Sequence, residues 1–195
     1  MKLAVLVSGN GTNLQSIIDA VNDGTLRGVT ISYVISSSPD AYALKRAERH
    51  NISTVIVERK KMPAILTPIF KSVDLVVLAG FIWVIPDELL DIKPIINVHP
   101  SLLPFFGGKG MYGDRVAKAV LDAGMKVSGA TVHLVTKDID GGPIIMQKCL
   151  EVRDYDTPDT LLERTHPIEH EILVNSIKLM SEKEYKIVGK RIVFP

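Results

Sequence analysis

Three stretches of this chain hold polar residues at spacings that can do chemistry. The first is Asn97-Val98-His99-Pro100-Ser101-Leu102-Leu103-Pro104. Strand side chains alternate, so an amide and an imidazole two residues apart fall on one side of a strand. Pro100 lacks an N–H and fixes φ, so a strand stops at His99 and passes into a loop closed by Pro104. Open α/β sheets bind ligands at such strand ends. The second stretch is the loop Lys137 to Gly142, with Asp140-Gly141-Gly142 at its close. Asp-Gly-Gly is first of all a turn signal. If Asp140 reaches His99, its carboxylate favours the imidazolium and raises its pKa. A protonated His99 beside the Asn97 amide then offers two donors converging on an oxyanion. With no Ser or Cys nucleophile partnered there, acyl transfer to an external nucleophile is the natural reaction class.

The third stretch is Ser8-Gly9-Asn10-Gly11-Thr12-Asn13. Glycines let the backbone approach a ligand, and the start of the following helix offers unpaired N–H groups and a positive dipole end. It is no Walker loop, since no Gly-Lys-Ser/Thr follows. It is also a poor dinucleotide fingerprint: Leu14 stands where the third glycine belongs, and Ser36-Ser37-Ser38 offers no ribose-binding acid. One phosphate on the backbone donors of Gly11, Thr12 and Asn13 fits. A plain strand-to-helix turn, N-capped by Asn13 or Thr12, fits these residues equally well. Elsewhere the bland reading leads. His133, inside a strand-like run, reads as a structural histidine. His166 and His170 stand one helical turn apart with Glu169 between them, but Pro167 would have to sit in the helix's first turn and no third ligand is evident, so no metal is expected. Lys60-Lys61 reads as a solvated pair. Phe81, Trp83 and Ile85 read as core that can also line a flat heterocycle pocket.

The elements that must position these residues alternate. Strands are expected at Leu3 to Val7, Thr30 to Ser36, Thr54 to Val57, Asp74 to Ala79 and Ile95 to His99. Helices are expected from Leu14 to Val21, Asp40 to His50 and Pro86 to Leu90, while Pro63 and Pro68 leave room between Lys60 and Lys71 only for a short or broken one. That alternation implies a doubly wound, mostly parallel sheet of α/β class, with the turns after Val7, Ala79 and Val98 on one edge. The chain then changes character. A Gly-rich loop spans Phe105 to Gly113, and a helix runs from Arg115 to Ala123. Strands Thr131 to Val135 and Pro143 to Val152 make an antiparallel excursion. A long helix from Asp159 to Met180 precedes a hairpin around Gly189-Lys190.

Composition narrows the class. The 195 residues are expected to form one domain, 1–195, with Lys plus Arg at 23 against Asp plus Glu at 22. That balance gives no bulk drive toward nucleic acid or anionic membranes, so small-molecule partners are expected. The one cysteine, Cys149, rules out an internal disulfide and reads as buried and inert. The apolar region from Leu75 to Pro86 falls short of the roughly 18 residues a membrane span needs. With no signal-peptide pattern at the start, a cytoplasmic protein, monomer or homodimer, is the expectation.

Taken together, the stretches resemble the folate-dependent formyltransferases. The resemblance rests on Val7-Ser8-Gly9-Asn10-Gly11-Thr12-Asn13-Leu14-Gln15, Val76-Val77-Leu78-Ala79-Gly80-Phe81, Asn97 to Pro104, and Asp138-Ile139-Asp140-Gly141-Gly142-Pro143-Ile144. Within that family it favours the branch that moves a formyl group from 10-formyltetrahydrofolate to the amine of 5-phosphoribosylglycinamide in purine biosynthesis. The resemblance implies Asn97, His99 and Asp140 as catalytic residues and Gly11, Thr12, Asn13 and Glu169 as substrate contacts. It implies a folate pocket from Ile82, Trp83, Val84, Ile85, Asn97, Asp138 and Gly141. Trp83 replaces an arginine usual after the Ala-Gly-Phe motif, and the loop from Phe105 to Gly113 lacks the family's histidines. Two other readings remain: a formyltetrahydrofolate hydrolase with water as acceptor, and a non-catalytic folate- or nucleotide-binding module.

Overall fold

A computed structural model describes all residues, 1–195. The fold is α/β and Rossmann-like, its strands mostly parallel with an antiparallel C-terminal part. Two compact units share the chain, Met1–Asn97 and Val98–Pro195. No helix is long and apolar enough to cross a membrane.

The first unit holds β1 (Lys2–Val7), α1 (Thr12–Asn22), β2 (Thr30–Ser36), α2 (Tyr42–Arg49), β3 (Ser53–Ile56), α3 (Met62–Ser72), β4 (Leu75–Leu78), α4 (Asp87–Leu90) and the start of β5 (Ile95–His99). Its strands run in the order β3-β2-β1-β4-β5, all parallel. The continuous apolar runs of β1 and β4 are buried, as strands covered on both faces must be. Register aligns the carboxyl ends: Leu6 pairs with Leu78, and Leu78 with Asn97. The turns after β1 and β4 meet directly, since the Ile82 N–H donates to Ser8 Oγ at 3.0 Å.

The region around Lys60 to Lys71 corrects the sequence reading. A 3-10 turn at Arg59–Lys61 leads into α3, an unbroken helix of 11 residues. Pro63 lies in the first turn, where no N–H bond is due, and Pro68 removes one interior bond. Met62, Leu66 and Phe70, each one turn from the next, are buried and hold the helix against that loss.

The second unit carries the end of β5, α5 (Asp114–Asp122), β6 (Val127–Leu134), β7 (Ile144–Glu151), α6 (Pro158–Glu182), β8 (Lys186–Val188) and β9 (Arg191–Val193). β6 and β7 are antiparallel, β9 pairs parallel with β7, and β8 closes an antiparallel hairpin with β9. β6 starts earlier than the expected Thr131, because Val127 already pairs with Glu151. Pro167 falls inside α6, not in its first turn. The helix starts at a capping box of Thr157 and Thr160 with Pro158 behind it, and a row of buried residues from Leu161 to Ile177 carries it past the proline. Cys149 is exposed, against the expectation of burial. On β7 the neighbouring Lys148 turns to Glu171 of α6, 2.6 Å away, so the alternation sends Cys149 to the opposite side.

Candidate active site

The glycine loop ends β1 and opens α1. Gly11 is the helix N-cap, with φ 77 and ψ 35, so the cap is neither Thr12 nor Asn13. That left-handed conformation favours glycine, and a Cβ there would sit 2.6 Å from Ala43 Cβ. A glycine cap has no side chain to take the first-turn N–H groups. Those donors and the dipole end are what an anion would use.

His99 ends β5 and is 3% exposed, so this strand end is an interior position. The loop after it is fastened from within its own unit. Thr131 Oγ1 donates to Ser101 O at 2.6 Å and accepts the Leu103 N–H at 3.1 Å. Gln147 Nε2 donates to Leu103 O and to Thr131 Oγ1, both at 2.9 Å. The next residues fold back onto the imidazole. Phe106 O accepts from His99 Nε2 at 2.9 Å; a carbonyl only accepts, so Nε2 carries the proton. Two residues on, the Gly108 N–H donates to Asp140 Oδ2 at 2.8 Å. Gly107 between them has no room for a side chain, since a Cβ would lie 2.6 Å from Leu103 Cδ2 and 3.1 Å from Asp140 Cβ.

Asp140 stands between two imidazoles. Its Oδ2 is 3.6 Å from His99 Nδ1 and its Oδ1 is 3.5 Å from His133 Nε2. His133 Nδ1–H donates to Leu134 O at 2.9 Å. Each ring is therefore anchored to a backbone carbonyl through one nitrogen and turns the other to the same carboxylate. His133, which reads from sequence as structural, belongs to this cluster. The available signal was proximity in the chain: the loop from β6 returns Asp140 within a few residues, and Leu134 N to Pro143 O, 2.9 Å, closes it.

The charges do not settle as the sequence suggests. Burial is the largest influence on His99 and pushes it below its ordinary value of 6.5; the Asp140 charge and the Phe106 carbonyl oppose this without reversing it. The expected net rise is thus corrected to a fall. Burial is also the largest single influence on Asp140 and would raise it. His133, the His99 charge and the Gly108 N–H together outweigh that and hold the carboxyl below its ordinary range. A carboxylate can take donors from several sides, whereas a buried imidazolium has one carboxylate shared with a second ring. The resting state we assign is an ionised Asp140 with a neutral His99.

The other expected site residues are placed as follows. Ile82 and Val84 are each 58% exposed, Trp83 is half-buried with its ring edge-on to Phe81 at 5.9 Å, and Ile85 is buried. Asn97 is half-buried, two residues before His99 on β5. Asp138 and Gly141 are exposed in the turn before β7, joined by a Gly141 N–H to Asp138 O bond of 3.0 Å. Glu169 is 6% exposed on α6, among the residues that helix buries.

Comparison with known proteins places the chain in a class of enzymes that move a one-carbon acyl group. The family model described as formyl transferase matches residues 1–177, and the chain belongs to that family. It is 36% identical over 196 residues to the chloroplastic phosphoribosylglycinamide formyltransferase of Arabidopsis thaliana, covering 95% of this chain and 67% of the plant one. It is 36% identical over 187 residues to the phosphoribosylglycinamide formyltransferase of Bacillus subtilis, covering 91% and 93%. The crystal structure of glycinamide ribonucleotide transformylase 1 from Symbiobacterium toebii superposes with a TM-score of 0.92 at 36% identity, covering 100% of this chain and 93% of that one.

Proposed function

We propose that this chain, acting as one formyltransferase domain, transfers the formyl group of 10-formyltetrahydrofolate to the amine of 5-phosphoribosylglycinamide in purine biosynthesis. The observation that carries the reading is the buried His99–Asp140 pair ending β5, in a chain of the formyl transferase family.

The chemistry follows from the groups present. The amine lone pair attacks the formyl carbon and the carbonyl oxygen becomes an oxyanion. His99 Nε2–H and the Asn97 amide donate to that oxyanion. The Nε2–H must first leave Phe106 O, so the reacting oxygen takes the position that carbonyl now holds. As the oxyanion forms, the ring takes up a proton from solvent at Nδ1, the nitrogen facing Asp140; the carboxylate stabilises that imidazolium, and the proton returns to solvent when the intermediate collapses. Collapse of the intermediate breaks the bond from the formyl carbon to the folate nitrogen, which takes up a proton as the former amine gives one up. The first-turn N–H groups at Gly11, Thr12 and Asn13 hold the substrate phosphate, and Glu169 faces its glycinamide end. The segment Ile82 to Ile85, with Asp138 and Gly141, receives the folate ring.

The test follows cofactor consumption with and without the amine. The expected outcome is consumption that depends on the amine and drops about 10²–10³-fold in His99→Ala, the loss of one oxyanion donor. A melting curve on that variant separates lost chemistry from lost folding, because His99 is interior. Consumption at full rate without amine would make the protein a hydrolase. Binding of folate without turnover of any kind would make it a binding module.

A further inference from the structure

The glycine loop contains no cation of its own. One arrives from α2. Arg46 Nε donates to Asn10 O at 2.9 Å, and its two terminal nitrogens donate to Asn10 Oδ1 at 2.7 Å and Gln15 Oε1 at 3.1 Å. A single planar fork therefore grips the loop at Asn10 and α1 one turn inside its start. Its stem lies over the cap, with Cδ 3.6 Å from where a Gly11 Cβ would be. The guanidinium is itself held, its carbon 5.0 Å from the Tyr42 ring centroid. The same helix grips the loop by its backbone too, through Ala43 N–H to Gly9 O at 3.1 Å. Gln15 is in turn fixed by its Nε2 bond to Asp19 Oδ1, 2.9 Å.

We infer that Arg46 is a positioning residue for phosphate binding: it fixes the Asn10-Gly11 backbone against the first turn of α1, so that the N–H groups of that turn are set for the anion before it arrives. The inference rests on the phosphate role proposed above for Gly11 to Asn13. Preorganised donors bind without an ordering cost, and a loop with a left-handed glycine at its pivot has much freedom to lose. Geometry carries the effect more than charge. Three donors in a rigid plane reach two residues at once, which an ammonium on a flexible stem cannot do.

The experiment compares Arg46→Lys and Arg46→Met with wild type in the full-length protein. Michaelis constants are measured separately for the phosphorylated amine and for the folate, and inorganic phosphate is titrated as a competitor of the amine. In both variants the constant for the amine should rise by about tenfold or more, in step with weaker phosphate inhibition. The folate constant and kcat should stay within about twofold of wild type. Arg46→Lys behaving as wild type would overturn positioning in favour of charge alone. An unchanged amine constant in Arg46→Met, or a parallel loss in every parameter together with a lower melting temperature, would overturn it as well. Failure of the phosphate role itself shows elsewhere, in a wild-type enzyme indifferent to inorganic phosphate and to a carboxylate introduced at Thr12, and that result removes both.

Discussion

Asp140→Asn isolates the part of the site where shape and charge separate. An amide keeps the outline of the carboxylate. Its oxygen can still accept the Gly108 N–H, bonded at 2.8 Å, and its NH2 can turn to His133 Nε2, 3.5 Å away, whose lone pair is available when Nδ1 donates to Leu134 O. The loop and the second histidine therefore stay in place, and the charge facing His99 Nδ1 at 3.6 Å is lost. At an effective dielectric of about 20 that separation corresponds to about 4–5 kcal/mol, an upper bound on what the charge contributes. Sharing the carboxylate with His133 reduces it, and a fall in the His99 pKa is the expectation. His99 already lies below its ordinary value through burial, and this change drives it further the same way. If turnover requires a protonated imidazole, the alkaline limb of the kcat/KM profile moves acidward by the same amount. Turnover near neutral pH then falls, by no more than about 10³-fold. An NMR titration of the His99 ring in both proteins reads the shift directly. An unchanged titration, or a lowered rate with an unmoved limb, would refute the reasoning.

Two further outcomes are expected. Thr12→Asp should raise the Michaelis constant for the phosphorylated amine and leave that for the folate alone, while the melting temperature holds or rises: the first turn of α1 has no acidic residue, and a carboxylate there is worth about 0.3–1 kcal/mol against the dipole. An unchanged amine constant argues against a phosphate site; Gly11→Asp is the poorer probe, because its Cβ would strike Ala43. Acid should destabilise the fold early. His99, His166 and His170 all lie below 6.5, each chiefly through burial, so the unfolded chain binds more protons than the folded one once the pH drops below that value. Their stabilisation is complete above it and is lost as the pH falls through their folded values, and a melting temperature flat from about pH 7.5 to about 5.5 would contradict this.

Much of the fold was legible because its signals are local. β2 and β5 begin and end where the residue pattern puts them, since apolar runs bounded by turns and by Pro100 leave little choice. The misjudged element was one that tertiary burial decides. α3 runs past Pro68 because its buried row outweighs one missing bond, and no window of sequence contains that sum; α6, expected from Asp159 to Met180, likewise runs past Pro167, which does not sit in its first turn. Cys149 was misplaced for a similar reason: the side of β7 facing α6 is set by Lys148 reaching Glu171, a partner 23 residues away. At the end of β5, motif spacing pointed to His99 and Asp140, which the structure brings within 3.6 Å. It did not point to His133, because a histidine in a strand shows its partner only when a loop returns a carboxylate to it. Nor could sequence show that Phe106 O occupies the His99 donor, since that bond depends on backbone direction alone.

That occupied donor bears on how a neutral histidine can serve an anionic transition state. In the resting protein burial outweighs the Asp140 charge, and His99 has only a neutral carbonyl at Nε2. Under the proposed reaction the group replacing Phe106 O is a formyl oxygen that gains a full negative charge as the amine adds. A second negative group then faces the ring, opposite Asp140, and raises the imidazole against the effect of burial. The imidazolium is favoured most when the oxyanion exists and least before it forms, which is the differential stabilisation a rate enhancement needs. The low resting value of His99 is on this view part of the mechanism. A ring already charged would hold Asp140 and Phe106 O more tightly and would have more to give up when the substrate oxygen arrives.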